Sequence, residues 1–280
     1  MINNLKFLIL VWCWFGVSAL AYELPLFDGH VHYSGDAWQS TPPERAIQLL
    51  DEANIGRALL SSTPIEGTLK LYALDTKRFV PELRVYHKTT SYETWLIERA
   101  NWWRADDTLP FLENELKRGI YKGIGEFHLF GAEAESEVTR KLVNLSVERK
   151  LHLHAHSDAQ AIATLIGHNA KVKMLWAHAG ISTPVEVVAE WMEKFPQITV
   201  ELSYRYDVVT GDDIDLRWRE LFLKYPERFV IGSDTWTPTR WSELPTIATW
   251  YRGWLAKLPR DVAEKIAYKN LAHFLGVEFP

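Results

Sequence analysis

From residue 24 onward, short runs rich in β-branched and aromatic residues alternate with longer segments in which apolar residues recur every three or four positions. The strand-like runs fall at 24–30, 57–61, 83–87, 122–128, 151–156, 172–178, 198–203 and 229–234. Helical patterns separate them at 43–53, 68–78, 93–118, 136–149, 159–168, 184–195, 216–225 and 243–258, and a further helix over 261–275 ends the chain. Strand and helix in strict alternation is the pattern of parallel βα units, in which each helix carries the chain back across the sheet. Eight such units predict the α/β class and a single (β/α)8 barrel, a TIM barrel, with an extra C-terminal helix. The third connection holds Trp102, Trp103 and Pro110 and is expected to break into two helices or a helix and a loop. Thr183 and Pro184 read as the N-cap and first position of one helix, and Phe195-Pro196 as its end.

The first residues do not follow this alternation. Lys6 precedes an apolar run over 7–17 that closes on Ser18, Ala19, Leu20 and Ala21, the form of a secretory signal peptide cut after Ala21. The alternative is an uncleaved N-terminal anchor. The run is short for a membrane span, so residues 1–21 are read as the signal and 22–280 as the barrel domain, with no stable membrane association after cleavage. The expected location is periplasmic or secreted. Cys13, the only cysteine, lies in the signal, so the mature chain would carry no thiol. The net charge is −5 and no basic cluster exists to neutralise a phosphate backbone, which argues for a small-molecule substrate and against nucleic acid.

Ligand-capable residues gather at the C-terminal ends of the apolar runs, which form the catalytic face of such a barrel. The first run ends Asp28-Gly29-His30-Val31-His32, and the period of two along a strand puts His30 and His32 on one side. The fourth reads Gly123-Ile124-Gly125-Glu126, offering one carboxylate. The fifth carries His152, His154 and His156 on one face; His156, nearest the rim, is the preferred ligand and His154 the alternative. The sixth ends Ala177-His178-Ala179-Gly180 and the eighth Gly232-Ser233-Asp234. This mixture of imidazole nitrogen and carboxylate oxygen suits a divalent ion, zinc before manganese. Side chains just past strand ends, Tyr33, His128, Tyr204, Arg205 and Trp236, are candidates for substrate contact. Arg205 offers a two-pronged donor for a carboxylate or phosphate, or else a surface ion pair.

These motifs resemble the amidohydrolase superfamily of metal-dependent hydrolases, in order and over essentially the whole mature chain. Asp28-Gly29-His30-Val31-His32, Leu175-Trp176-Ala177-His178-Ala179-Gly180 and Gly232-Ser233-Asp234 are similar to its amidohydrolase-related branch, also called amidohydrolase 2. The Gly123-Ile124-Gly125-Glu126 run also resembles TatD-like deoxyribonucleases. The resemblance implies metal ligands at His30, His32, Glu126, the strand-five histidine, His178 and Asp234, with Asp234 also the catalytic base. Many members hold a carboxylated lysine where this chain has Glu126, so both one and two ions stay open. The expected function is hydrolysis of a small carboxylic ester, lactone or amide. The alternatives are a metal-dependent decarboxylase of an aromatic carboxylate and a non-catalytic periplasmic metal-binding protein.

Overall fold

The computed structural model describes residues 24–279; the segment read as a signal peptide lies outside them. Eight parallel strands pair in sequence order: β1 (Leu26–Val31), β2 (Ile55–Leu60), β3 (Phe79–Leu83), β4 (Gly123–Leu129), β5 (His152–Ser157), β6 (Lys173–Trp176), β7 (Ile198–Glu201) and β8 (Phe229–Val230). The ring is drawn together between β8 and β1, where Gly29 N–H donates to the Ile231 carbonyl at 2.8 Å and Asp234 N–H to the His30 carbonyl at 2.6 Å. Glycine is required at this seam, because a Cβ on Gly29 would stand 2.8 Å from that same carbonyl oxygen. The protein is thus a (β/α)8 TIM barrel of the α/β class.

Helices α1 (Pro43–Glu52), α2 (Glu66–Leu74), α5 (Glu137–Glu148), α6 (Ala159–His168), α7 (Val185–Lys194), α8 (Leu216–Lys224) and α9 (Pro238–Leu255) run between the strands or after β8. The third connection is broken as expected, into α3 (Tyr92–Arg99), a 3-10 turn at Trp102–Arg104 and α4 (Thr108–Glu115). Local capping starts several helices: Ser136 accepts from Thr139 N–H and Asp158 from Ala161 N–H. In α7 it is Pro184, not Thr183, that takes the N-cap place, while the Thr183 hydroxyl bonds the Gly180 carbonyl of the preceding turn. The C-terminal helix is one helical stretch in three parts, α10 (Arg260–Glu264), a π turn (Lys265–Lys269) and α11 (Asn270–Leu275).

The strand expected at 83–87 is the main correction. It runs at Phe79–Leu83, so Arg84, Tyr86 and His87 are not in the sheet but follow it at its C-terminal end. A short antiparallel ribbon, 209–210 with 213–214, was not expected and lies between β7 and α8.

Phe27, Leu59, Val80, Leu175 and Val230, one residue each from five strands, form a small cluster with Leu271 and Leu275 of α11. Side chains from strands so far apart in the sheet order meet only inside the barrel, and this cluster forms its floor. The larger core lies around it, between strands and helices, and includes Trp102, Trp176, Trp218 and Trp241. Above the floor the interior turns polar: Glu82, His152 and His154 make one layer, and His30, Glu126, Glu201, His178 and Asp234 make the next.

Candidate metal centre

Each of three histidines has its ring orientation set by an oxygen behind it. His30 Nδ1 lies 3.0 Å from Glu201 Oε2, His32 Nδ1 lies 2.7 Å from the Ser61 carbonyl, and His178 Nδ1 lies 3.2 Å from the Ser203 carbonyl and 2.7 Å from its hydroxyl. Carbonyl and carboxylate oxygens only accept, so in every case Nδ1 carries the proton and Nε2 presents a lone pair. The lone pairs converge: His30 Nε2 and His32 Nε2 are 3.0 Å apart. Around them stand two carboxylates. Asp234 Oδ1 is 3.3 Å from His32 Nε2 and 3.5 Å from His30 Nε2, and Glu126 approaches His32 at 3.2 Å and His178 at 3.3 Å.

Facing lone pairs repel unless something positive lies between them, and Asp234 Oδ1 is buried without any hydrogen-bond donor. The pKa shifts express the same demand. Burial alone pushes the His30 imidazole down, but Asp234 and Glu126 overcome this and raise it well above its usual value. Burial pushes Glu126 up, yet His30, His128, a hydrogen bond from His156 and the adjacent His178 hold it well below the usual carboxylate range. A cluster that draws positive charge so strongly, with His30, His32 and Asp234 in one grouping and His30, Glu126 and His178 in another, fits a divalent cation.

Backbone strain accompanies the site. His178 (φ 55°), Tyr204 (φ 59°) and Asp234 (φ 49°) all lie in the left-handed region that L side chains seldom adopt. Such conformations cost about 1–3 kcal/mol each and persist where surrounding structure enforces them. Here they fall just past β6, β7 and β8, which end earlier than the apolar runs imply, and two of them, His178 and Asp234, are members of the cluster.

On the fifth strand the two histidines separate by depth. His156 faces the mouth, with Nδ1 2.9 Å from Glu126 Oε1. His154 sits one layer lower, Nδ1 3.1 Å from Glu82 and Nε2 buried without a partner. Of the expected substrate contacts, Trp236 is exposed and donates from Nε1 to the Tyr204 hydroxyl at 2.9 Å. His128 lines the site beside His156, with ring centroids 4.4 Å apart. Two others point elsewhere. Tyr33 is wholly buried, its hydroxyl on the Thr41 carbonyl, and Arg205 is held by Asp207 at 2.8 Å and by the Ala179 carbonyl at 3.0 Å.

Sequence reasoning passed over three residues. Arg84 Nη2 bonds Glu126 Oε2, the oxygen that also faces His32, at 3.1 Å, while its Nε bonds the Glu126 carbonyl, which ties both the carboxylate and its backbone to one guanidinium. Tyr86 bonds His128. Glu201, fully buried on β7, accepts from His30, from the Ser203 hydroxyl at 2.9 Å and from His178 N–H at 3.1 Å. Burial pushes its carboxyl up, but His30 and His178 hold it at about 2. Its signal in the sequence was a lone carboxylate inside the apolar run Ile198-Thr199-Val200-Glu201. Glu201→Gln keeps the volume but can present an amide donor where an acceptor is needed. Metal affinity is expected to fall about 10–100-fold, read by competition with a chromogenic chelator; unchanged affinity would remove Glu201 from the ligand-orienting role.

A family model described as amidohydrolase matches residues 118–277. No curated protein matches the chain. Among solved structures, a protein from Pseudomonas putida described as a putative 2-pyrone-4,6-dicarboxylic acid hydrolase has a TM-score of 0.60 at 14% identity, covering 92% of this chain and 99% of that one. An amidohydrolase from Burkholderia multivorans with bound zinc has a TM-score of 0.54 at 12% identity, covering 91% and 100%. Dihydroorotase from Saccharomyces cerevisiae has a TM-score of 0.58 at 13% identity, covering 91% and 84%.

Proposed function

This chain belongs to the amidohydrolase family, and on that premise we propose that it is a metal-dependent hydrolase of small carboxylic esters, lactones or amides. The observation that carries the proposal is the set of three Nε2 lone pairs, each fixed by a proton anchored at Nδ1, converging with Asp234 and Glu126. A divalent cation, zinc or manganese, held by His30, His32, His178, Asp234 and Glu126 would lower the pKa of bound water toward ~7 and polarise the acyl group.

Asp234 receives the proton from the attacking water and returns it to the leaving group, a role its position between His30, His32 and His178 supports. Glu201, Ser61 and Ser203 hold the imidazoles still while this happens. The arginines near the mouth bear on the substrate. Arg84 holds Glu126, Arg205 holds Asp207, and Arg240 donates to the Tyr206 hydroxyl and the Ser233 carbonyl. Guanidiniums so engaged are not free for a polyanion; Arg99, over the Trp95 and Phe130 rings with its Nε unbonded, is left to meet a single substrate charge. A lactone is among the acyl compounds proposed, and neighbours described as 2-pyrone-4,6-dicarboxylic acid hydrolases are named for a cyclic ester that carries two carboxyl groups. Export by residues 1–21 to the periplasm or beyond completes the proposal; no helix among the described residues is long and apolar enough to cross a membrane.

The test is metal content by plasma mass spectrometry, followed by activity on nitrophenyl esters, lactones and amides. Wild type is expected to hold about one or two ions per chain, and His178→Ala to lose most of them, because one Nε2 lone pair disappears from the cluster. Chelation should abolish hydrolysis and added zinc restore it. Full activity in a metal-free sample would overturn the reading.

A further inference from the structure

We infer that His128 donates a hydrogen bond from Nε2 to the substrate's acyl oxygen, and that Tyr86 is the positioning residue that puts the proton there; the inference rests on the hydrolase reading above. His128 belongs to β4 and Tyr86 to the turn after β3, and both are buried. The Tyr86 hydroxyl oxygen accepts from the backbone N–H of His128 at 2.9 Å. The same hydroxyl lies 2.8 Å from His128 Nδ1. With its oxygen already accepting, the phenol directs its own proton to Nδ1, the other polar atom within its reach. Nδ1 is therefore an acceptor, and the imidazole proton resides on Nε2.

This polarity is opposite to that of His30, His32 and His178, whose protons are anchored at Nδ1 and whose Nε2 atoms are bare. A protonated nitrogen cannot ligate a cation. Although His128, Glu126 and His156 place a ligand-type atom each within 4.8 Å of one another, His128 is set to donate there. Its Nε2 has no acceptor among the described residues. The ring is held by stacking on His156 at 4.4 Å and by the edge of Trp95 at 5.6 Å, so the donor direction is fixed before any substrate arrives.

In the hydrolytic step, water oxygen bonds to the acyl carbon and the carbonyl π electrons move to the acyl oxygen. One water proton passes to Asp234, then to the leaving alcohol or amine as its bond to carbon breaks. His128 gives no proton away; its N–H dipole stabilises the oxygen while it is negative.

The test uses the full zinc-loaded mature protein and three variants, Tyr86→Phe, His128→Gln and His128→Phe, with p-nitrophenyl acetate and dihydrocoumarin as substrates. Zinc content, kcat and KM, and nitrogen NMR of histidine-labelled protein are recorded. Zinc content is expected to equal wild type in all three variants. In His128→Phe, kcat falls by about 10²–10³-fold with little change in KM, as for loss of one oxyanion donor. His128→Gln, which keeps an N–H, recovers part of the loss. Tyr86→Phe falls less and shows a mixed tautomer at His128, where wild type shows a protonated Nε2. Zinc loss in His128→Phe, a protonated Nδ1 and bare Nε2 in wild type, or unchanged kcat would each overturn the assignment. A wild type with the Nε2–H signature and full zinc, yet inactive on every acyl substrate, would instead overturn the hydrolase reading.

Discussion

Asp234→Asn is expected to lower kcat by about 10²–10⁴-fold, the range a positioned general base contributes, while the protein keeps most of its metal. The amide has nearly the size of the carboxylate, so the left-handed backbone at φ 49° and the bond from Asp234 N–H to the His30 carbonyl are undisturbed. Three imidazoles and Glu126 remain to hold the proposed ion. What disappears is the group able to take a proton beside His30 and His32, and an amide cannot replace it. Burial would push the Asp234 carboxyl up, but the imidazoles of His30, His32 and His178 around it outweigh this and hold it well below the usual range. On the proposed reading Asp234 is therefore an ionised base across the neutral range, and its loss should depress rate equally from pH 6 to 9. Metal content separates two outcomes. If Asp234→Asn loses both metal and rate, Asp234 is chiefly a ligand; if rate survives, another residue is the base.

How far the sequence reached is clearest at β3. The run Phe79-Val80-Pro81-Glu82-Leu83 is buried at every position, yet Pro81 and Glu82 make it read as a turn. Glu82 can lie inside because it meets His152 and His154, some seventy residues away on β5. No local periodicity can reveal a partner at that distance. Misplacing β3 hid Arg84 and Tyr86, which then looked like strand residues and not like groups above a strand end. Glu201 was missed for the same reason, since its acceptor role depends on His30 across the barrel. By contrast, His30, His32, Glu126, His178 and Asp234 were legible because the strand order and the strand-end rule suffice to bring them together, and the structure places all five within a few ångströms. Arg205 and Tyr33 show the limit of that rule: it locates the backbone at the rim but not the direction of a long side chain, which Asp207 and Thr41 decide.

Glu82→Ala is expected to be the most destabilising single change in the barrel interior. Glu82 is 1% exposed and accepts from His152 Nε2 at 2.5 Å and from His154 Nδ1 at 3.1 Å. Removing it leaves two buried imidazole N–H groups without acceptors and a cavity between the floor and the layer of His30, Glu126 and Glu201. Breaking a buried pair by deleting one partner costs roughly 3–5 kcal/mol, a large share of the 5–15 kcal/mol that holds a domain together. In a chain of this size that corresponds to a fall in Tm of about 10 °C. The pH dependence supplies a second reading. Burial pushes the Glu82 carboxyl up, but His154 and a hydrogen bond from His152 win and hold it far below its ordinary 4.5. A carboxyl depressed in the folded state stabilises at pH above its unfolded value, and that stability is lost as pH falls toward the folded value. The gap in Tm between wild type and Glu82→Ala should therefore be widest above about pH 5 and narrow as pH is lowered through 4. Glu82→Gln retains one acceptor without a titrating group; it should lose less stability, and its Tm should follow pH less steeply than that of wild type. Thermal melts from pH 3.5 to 8 decide the matter. A Tm loss of only a degree or two, or a gap that does not change with pH, would mean that the two histidines find other acceptors and that Glu82 is not what holds this layer together.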